Sequence, residues 1–175
     1  MDFIISQILG FIALIIICIG YFVKKKSIFL IIQIAGNLFY AGSFLCLKVW
    51  TGGIITLISI LRCIYFFICE KYNFKYTLHF IPIFFVAYIT AGILTWQSWL
   101  DIIPLCTSIM FTIALYIKNL GLMRYVLLVP NCLLCVYCIL NQTYTSAILD
   151  FIEVIVIVIA ICKFHFSNKK NLSEN

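Results

Sequence analysis

Seven apolar runs follow one another along this chain, with only short polar breaks between them. They cover approximately residues 3–23, 28–47, 52–69, 78–95, 102–117, 122–140 and 146–162. Hydrocarbon about 30 Å thick is crossed by about 20 helical residues at about 1.5 Å per residue, so each run is long enough, or nearly so, to cross a bilayer. The pattern predicts an all-α integral membrane protein with seven transmembrane helices. Trp50, Trp96 and Trp99 fall at predicted helix ends, where interfacial aromatic rings belong.

Charge gives the runs a direction. Taking the connections in order, Lys24, Lys25, Lys26, Lys71, Lys75, Lys118, Arg124, Lys163, Lys169 and Lys170 collect on one side of the membrane. Lys48 is alone on the other. Cytoplasmic connections carry the excess of Lys and Arg, so the amino terminus is expected outside and the carboxyl terminus in the cytoplasm. The net charge of +6 is thereby read as orientation against anionic headgroups, with no role for nucleic acid. A chain that is 65% apolar and 10% charged lacks the polar surface of a soluble enzyme. The first run is preceded by Asp2 and followed by lysines, the reverse of a cleavable signal peptide, and is expected to remain as helix 1. Most of the nine cysteines lie inside apolar runs, where Cys behaves as a small hydrophobe. Cys132, Cys135 and Cys138 have a cluster-like spacing but no fourth ligand, so they are read as packing residues.

Helices 1–3 and 5–7 share their spacing. Lys24 and Lys118, Asn37 and Asn131, and Thr51 and Thr145 are each 94 positions apart, and the same shift sets Gly10 against Pro104 and Gly36 against Pro130. The expected organisation is a first three-helix bundle over 1–70, a loop and linker helix 4 over 71–98, a second three-helix bundle over 99–164 and a cytoplasmic tail over 165–175. An odd linker helix makes the two bundles parallel. Parallel repeats are one of the plans of membrane transporters, with binding at the repeat interface near the midplane.

Charges within hydrocarbon are costly and mark partners or wet cavities. Arg62, Asp150 and Glu153 are the three that count. Arg62 lies about 15 Å below the start of helix 3 and Glu153 about 10 Å below the start of helix 7, with Asp150 one turn from Glu153 on a similar face. Arg62 is therefore expected to pair with Glu153 or Asp150 across the repeat interface. Asn37 and Asn131 lie mid-helix beside Gly36 and Pro130, and suit either cavity lining or interhelical bonding. Ser59 lies one turn from Arg62. Pro104, Thr107 and Ser108 predict a kinked, hydroxyl-bearing face on helix 5, and Pro82 a structural kink in helix 4. His79 and His165 belong to headgroup contact at helix ends. Asn141-Gln142-Thr143 is a glycosylation sequon that matters only in a secretory pathway. The chain has no nucleophile with its base, no HExxH and no phosphate loop. No enzyme activity, catalytic residue, metal or cofactor is expected.

Gln7-Ile8-Leu9-Gly10-Phe11, Trp50-Thr51-Gly52, Ser59-Ile60-Leu61-Arg62, Ile103-Pro104-Leu105 with Thr107 and Ser108, Lys118-Asn119-Leu120 with Met123-Arg124, and Lys163-Phe164 occur in an order and spacing that resembles the YgjV-like family of bacterial inner-membrane proteins. That family is itself similar to the PQ-loop and SWEET-like transporters. The resemblance implies a plasma-membrane location and a SWEET-like arrangement of two three-helix bundles. The chain departs from the pattern in having no Pro-Gln dipeptide, and Gly10 and Gly36 stand where hinge prolines of a first bundle would be. The expected function is a small-solute transporter with a polar midplane pocket bounded by helices 2, 3, 6 and 7. In it Arg62 anchors an anionic or carbonyl group or organises the carboxylates, Asn37, Asn131 and Ser59 line the site, and Asp150 or Glu153 takes a coupling proton. The alternative is a non-transporting membrane receptor or assembly partner whose buried charges are structural. Lipid and a small polar solute are the expected partners, and oligomerisation is left open.

Overall fold

The computed structural model describes residues 2–46, 50–72, 77–94, 96, 99–140 and 144–173, and its described elements are helices. In chain order these are α1 (Asp2–Tyr21), α2 (Lys26–Cys46), α3 (Trp50–Tyr72), α4 (Thr77–Leu94), a 3-10 turn (Trp99–Asp101), α5 (Ile102–Tyr116), α6 (Leu120–Leu140) and α7 (Tyr144–Ser173). Five helices have described stretches long and apolar enough to cross a membrane: Ile4–Tyr21, Lys26–Cys46, Gly53–Tyr72, Trp99–Tyr116 and Leu120–Leu140. The described apolar stretch of α4 is shorter, Ile81–Leu94. The apolar run of α7 is interrupted by Asp150, Glu153 and Lys163. The helix itself continues through most of the predicted tail, to Ser173. Lys48, Lys75 and the sequon Asn141-Gln142-Thr143 lie outside the described residues, as do the side chains of Trp50, Thr51, His79, Thr145 and His165.

The helices pack as a closed circuit. α1 lies against α2, α2 against α3, α5 against α6 and α6 against α7; α3 touches α5, α1 touches α7, and α4 packs on α3 and α5. The turns between α1 and α2 and between α5 and α6 are built alike. The Val23 N–H donates to the Gly20 carbonyl at 3.2 Å and the Ile117 N–H to the Ala114 carbonyl at 3.1 Å, tightening the last turns of α1 and α5. The Phe29 N–H donates to the Lys25 carbonyl and the Met123 N–H to the Asn119 carbonyl, opening α2 and α6. Both pairs of bonds are 94 positions apart. Asn119 also caps α6, its Oδ1 accepting the Gly121 N–H at 2.8 Å. Pro104 lies in the first turn of α5, where its missing N–H costs no helical bond. It opens that helix, and the buried Thr107 and Ser108 hydroxyls donate to its carbonyl at 3.0 and 2.8 Å.

These turns gather Lys24–Lys26, Glu70, Lys118, Arg124 and Lys163 at one end of the circuit, called the basic end below. Trp96 and Trp99 are exposed toward the opposite end and meet edge to face at 6.2 Å. The interior changes character between the ends. Toward the basic end it is an apolar cluster that includes Tyr21, Phe29, Leu30, Phe66, Leu115, Met123, Leu127 and Ile157. Away from it the buried side chains include Ser6, Ser43, Thr56, Thr107, Ser108 and Asn131. Small residues let α1 and α2 approach closely: Ser43 Oγ donates to the Ser6 carbonyl at 2.9 Å, and an added Cβ at Gly36 would run into Ile17.

Candidate functional site

Arg62 is 6% exposed, at the place where α3 meets α4 and α5. Its Nη1 donates to the Ser108 carbonyl at 3.1 Å and to Thr112 Oγ1 at 3.2 Å. Thr112 Oγ1 in turn donates to the same Ser108 carbonyl at 2.8 Å, which fixes the acceptor pair on α5. Tyr88 of α4 and Phe111 of α5 present their rings to the guanidinium at 5.6 and 5.9 Å. Ser59, one turn earlier on α3, shares a 3.0 Å hydroxyl bond with Tyr88. The Nε–H is buried and meets no acceptor among the described residues.

Glu153 is 8% exposed on α7, and its Oε2 accepts the Tyr21 hydroxyl of α1 at 3.3 Å. Asn131 adjoins that hydroxyl, and Tyr40 lies within electrostatic reach of both Glu153 and Asp150. Asp150 accepts from Cys138 Sγ of α6 at 3.1 Å, and Cys135 Sγ points at the Ala147 carbonyl. Two members of the cysteine triplet thus tie α6 to α7.

The expected pairing of Arg62 with Glu153 or Asp150 is not the arrangement found. Among the described residues the ion pair is Lys26 with Glu70, at 3.8 Å. Arg62 and Glu153 have comparable depths, but depth does not set direction around a helix. The principal neighbours of α3 are α2, α4 and α5, and those of α7 are α6 and α1. The six candidate residues therefore divide between places. Arg62 and Ser59 face α4 and α5; Glu153, Asp150 and Asn131 belong to the region of α1, α6 and α7. Asn37 is half-buried on α2. Asn37 and Asn131 each donate from Nδ2 to a carbonyl one turn back in their own helix, Gln33 and Leu127, both at 2.7 Å.

A model of the Imp-YgjV family, described as a bacterial inner membrane protein, matches residues 4–168. The chain belongs to the Imp-YgjV family. No curated protein matches it, and no solved structure does. Family membership and the apolar helices make it a multi-pass protein of the bacterial inner membrane.

This Imp-YgjV protein also carries two buried cations at its basic end that the loop charges had concealed. Lys26 is 7% exposed and donates from Nζ to the Ile117 carbonyl at 3.0 Å. Arg124 is 3% exposed, donating from Nε to the Tyr21 carbonyl at 3.0 Å and from Nη2 to the Val23 carbonyl at 2.6 Å. The ends of α1 and α5 leave carbonyls without intrahelical donors, and each end is capped by a cation from the other half of the chain. The Phe164 ring lies over Arg124 at 3.9 Å. Tyr21 thus serves twice, its carbonyl bound by Arg124 and its hydroxyl by Glu153. The available signal was position: Lys26 and Arg124 stand at the first turns of α2 and α6, beside the turns that end α1 and α5.

Proposed function

We propose that this protein is a small-solute carrier built from two parallel three-helix repeats, with its amino terminus outside and its basic end in the cytoplasm. The observation that carries this reading is the separation of Arg62 from Glu153. Buried charges whose only task was to lock helices would be cheapest as a direct pair. Here each faces neutral groups at a different contact between the halves, Arg62 at α3/α5 and Glu153 at α7/α1. Held apart, one is free to meet solute and the other to carry a proton.

The same reading gives the basic end a role. Lys26 and Arg124 tie the halves together in both directions above an apolar cluster, while the buried hydroxyls lie farther from that end. On this reading those ties close the carrier on its cytoplasmic side, and alternation breaks them. The bonds from Arg62 and Arg124 to helix carbonyls favour the second reading, a non-transporting receptor or assembly partner, because they also lock helices.

Uptake by proteoliposomes over a broad panel of radiolabelled small solutes separates the two. The carrier reading predicts saturable uptake of at least one solute, lost in a Glu153→Gln variant that still folds. Folded protein that takes up nothing from the panel would favour the receptor reading.

A further inference from the structure

We infer that the unoccupied edge of the Arg62 guanidinium is a recognition site for a monoanionic carboxylate. The inference rests on the carrier reading for its purpose but on the geometry of Arg62 for its chemistry. A guanidinium offers two forks of parallel N–H groups. Both described hydrogen bonds of Arg62 leave from Nη1 toward α5. The buried Nε–H has no acceptor among the described residues, and with Nη2 it forms the side-on fork. Tyr88 and Phe111 are the aromatic neighbours of the guanidinium, the Cys63 thiol adjoins it, and Nη1 is taken up by α5, which leaves the Nε–H as its buried donor without a partner among the described residues.

Two features select the ligand. First, a fork of two parallel donors matches two coplanar oxygens, whereas an amide or ketone carbonyl leaves one donor unmet. Second, no carboxylate of the described residues lies within ion-pair distance of Arg62, so a full positive charge stands uncompensated in a low-dielectric interior. One negative charge neutralises it, while a dianion over-compensates. Ser59 and Tyr88 place a hydroxyl pair one turn away, where a further polar group on the solute could bond.

Arg62 and Arg124 are the only arginines in the chain, which allows each to be observed separately. The test uses the full chain labelled with 15N-arginine in lipid nanodiscs, with propionate as the probe. Propionamide is the neutral isostere and inorganic phosphate the alternative oxyanion. The expected result is a saturable shift of the Arg62 Nε–H signal with propionate and none with propionamide. Phosphate should do no more than chloride. The Arg124 Nε–H, already bound to the Tyr21 carbonyl, should not move. Arg62→Lys keeps the charge without the fork and should weaken binding by about tenfold or more, the worth of one charge-assisted hydrogen bond. An Arg62 signal unmoved by propionate, moved equally by propionamide, moved more by phosphate or moved together with Arg124 would overturn the proposal. Propionate binding with no uptake of any solute in the panel would remove the carrier reading and leave the site. Uptake that survives Arg62→Gln would remove the site and leave the carrier.

Discussion

Two of the contacts between α1–α3 and α5–α7, α3 against α5 and α7 against α1, correspond under a shift of 94 residues yet carry opposite charge. The shift of 94 residues that aligns the interhelical turns also sets Glu153 against Ser59 and Thr112 against Cys18. At the first contact a cation is held by a carbonyl, a hydroxyl and two rings; at the second a carboxylate is held by a tyrosine hydroxyl. The lesson is that one helical frame positions a charge at each contact without letting the two neutralise. Arg62 is turned to groups of α4 and α5, and Glu153 to a hydroxyl of α1.

The sharpest way to break this contrast is to reverse the charge on one side. Arg62→Glu sets a carboxylate against the Ser108 carbonyl, where the described neighbours offer it no cation. An uncompensated buried charge costs about 3–5 kcal/mol, so folded protein recovered from membranes should fall to little or nothing. Glu153→Gln keeps an acceptor for Tyr21 and should leave the folded yield close to the parent's. Arg124→Ala comes next. It strips charged donors from the Tyr21 and Val23 carbonyls, and at about 1.5–3 kcal/mol per charged bond it should lower the melting temperature in detergent more than any single hydroxyl deletion.

The helices themselves were legible in the sequence, because apolar run length and the placement of lysines are one-dimensional signals. The direction of Arg62 was not. Its depth follows from counting residues, but its partner depends on which helix lies beside α3, and three helices compete for that place. Lys26 and Arg124 were legible only as loop charges. Their burial comes from the unpaired carbonyls that end α1 and α5, a need that arises once the turns are formed. Asn37 and Asn131 were paired by the shift of 94 residues, and their like bonds to their own helices could not be read from spacing alone.

Smaller effects sharpen the second contact. A double-mutant cycle of Tyr21→Phe with Glu153→Ala, which removes the acceptor, should show coupling of about 0.6 kcal/mol and no more than about 1.7 kcal/mol, as interhelical hydrogen bonds in membranes do. Ser43→Ala, which removes a donor between α1 and α2 away from either charge, should cost about 0.6 kcal/mol by the same measure and leave uptake unchanged.

The central claim, that Arg62 and Glu153 belong to separate contacts, is tested most directly by a double-mutant cycle of Arg62→Gln with Glu153→Gln, read by reversible unfolding in mixed micelles. The two losses should add to within about 0.5 kcal/mol, as they do for distant sites without shared partners. Coupling above about 1 kcal/mol would mean that the charges meet, and would contradict this account.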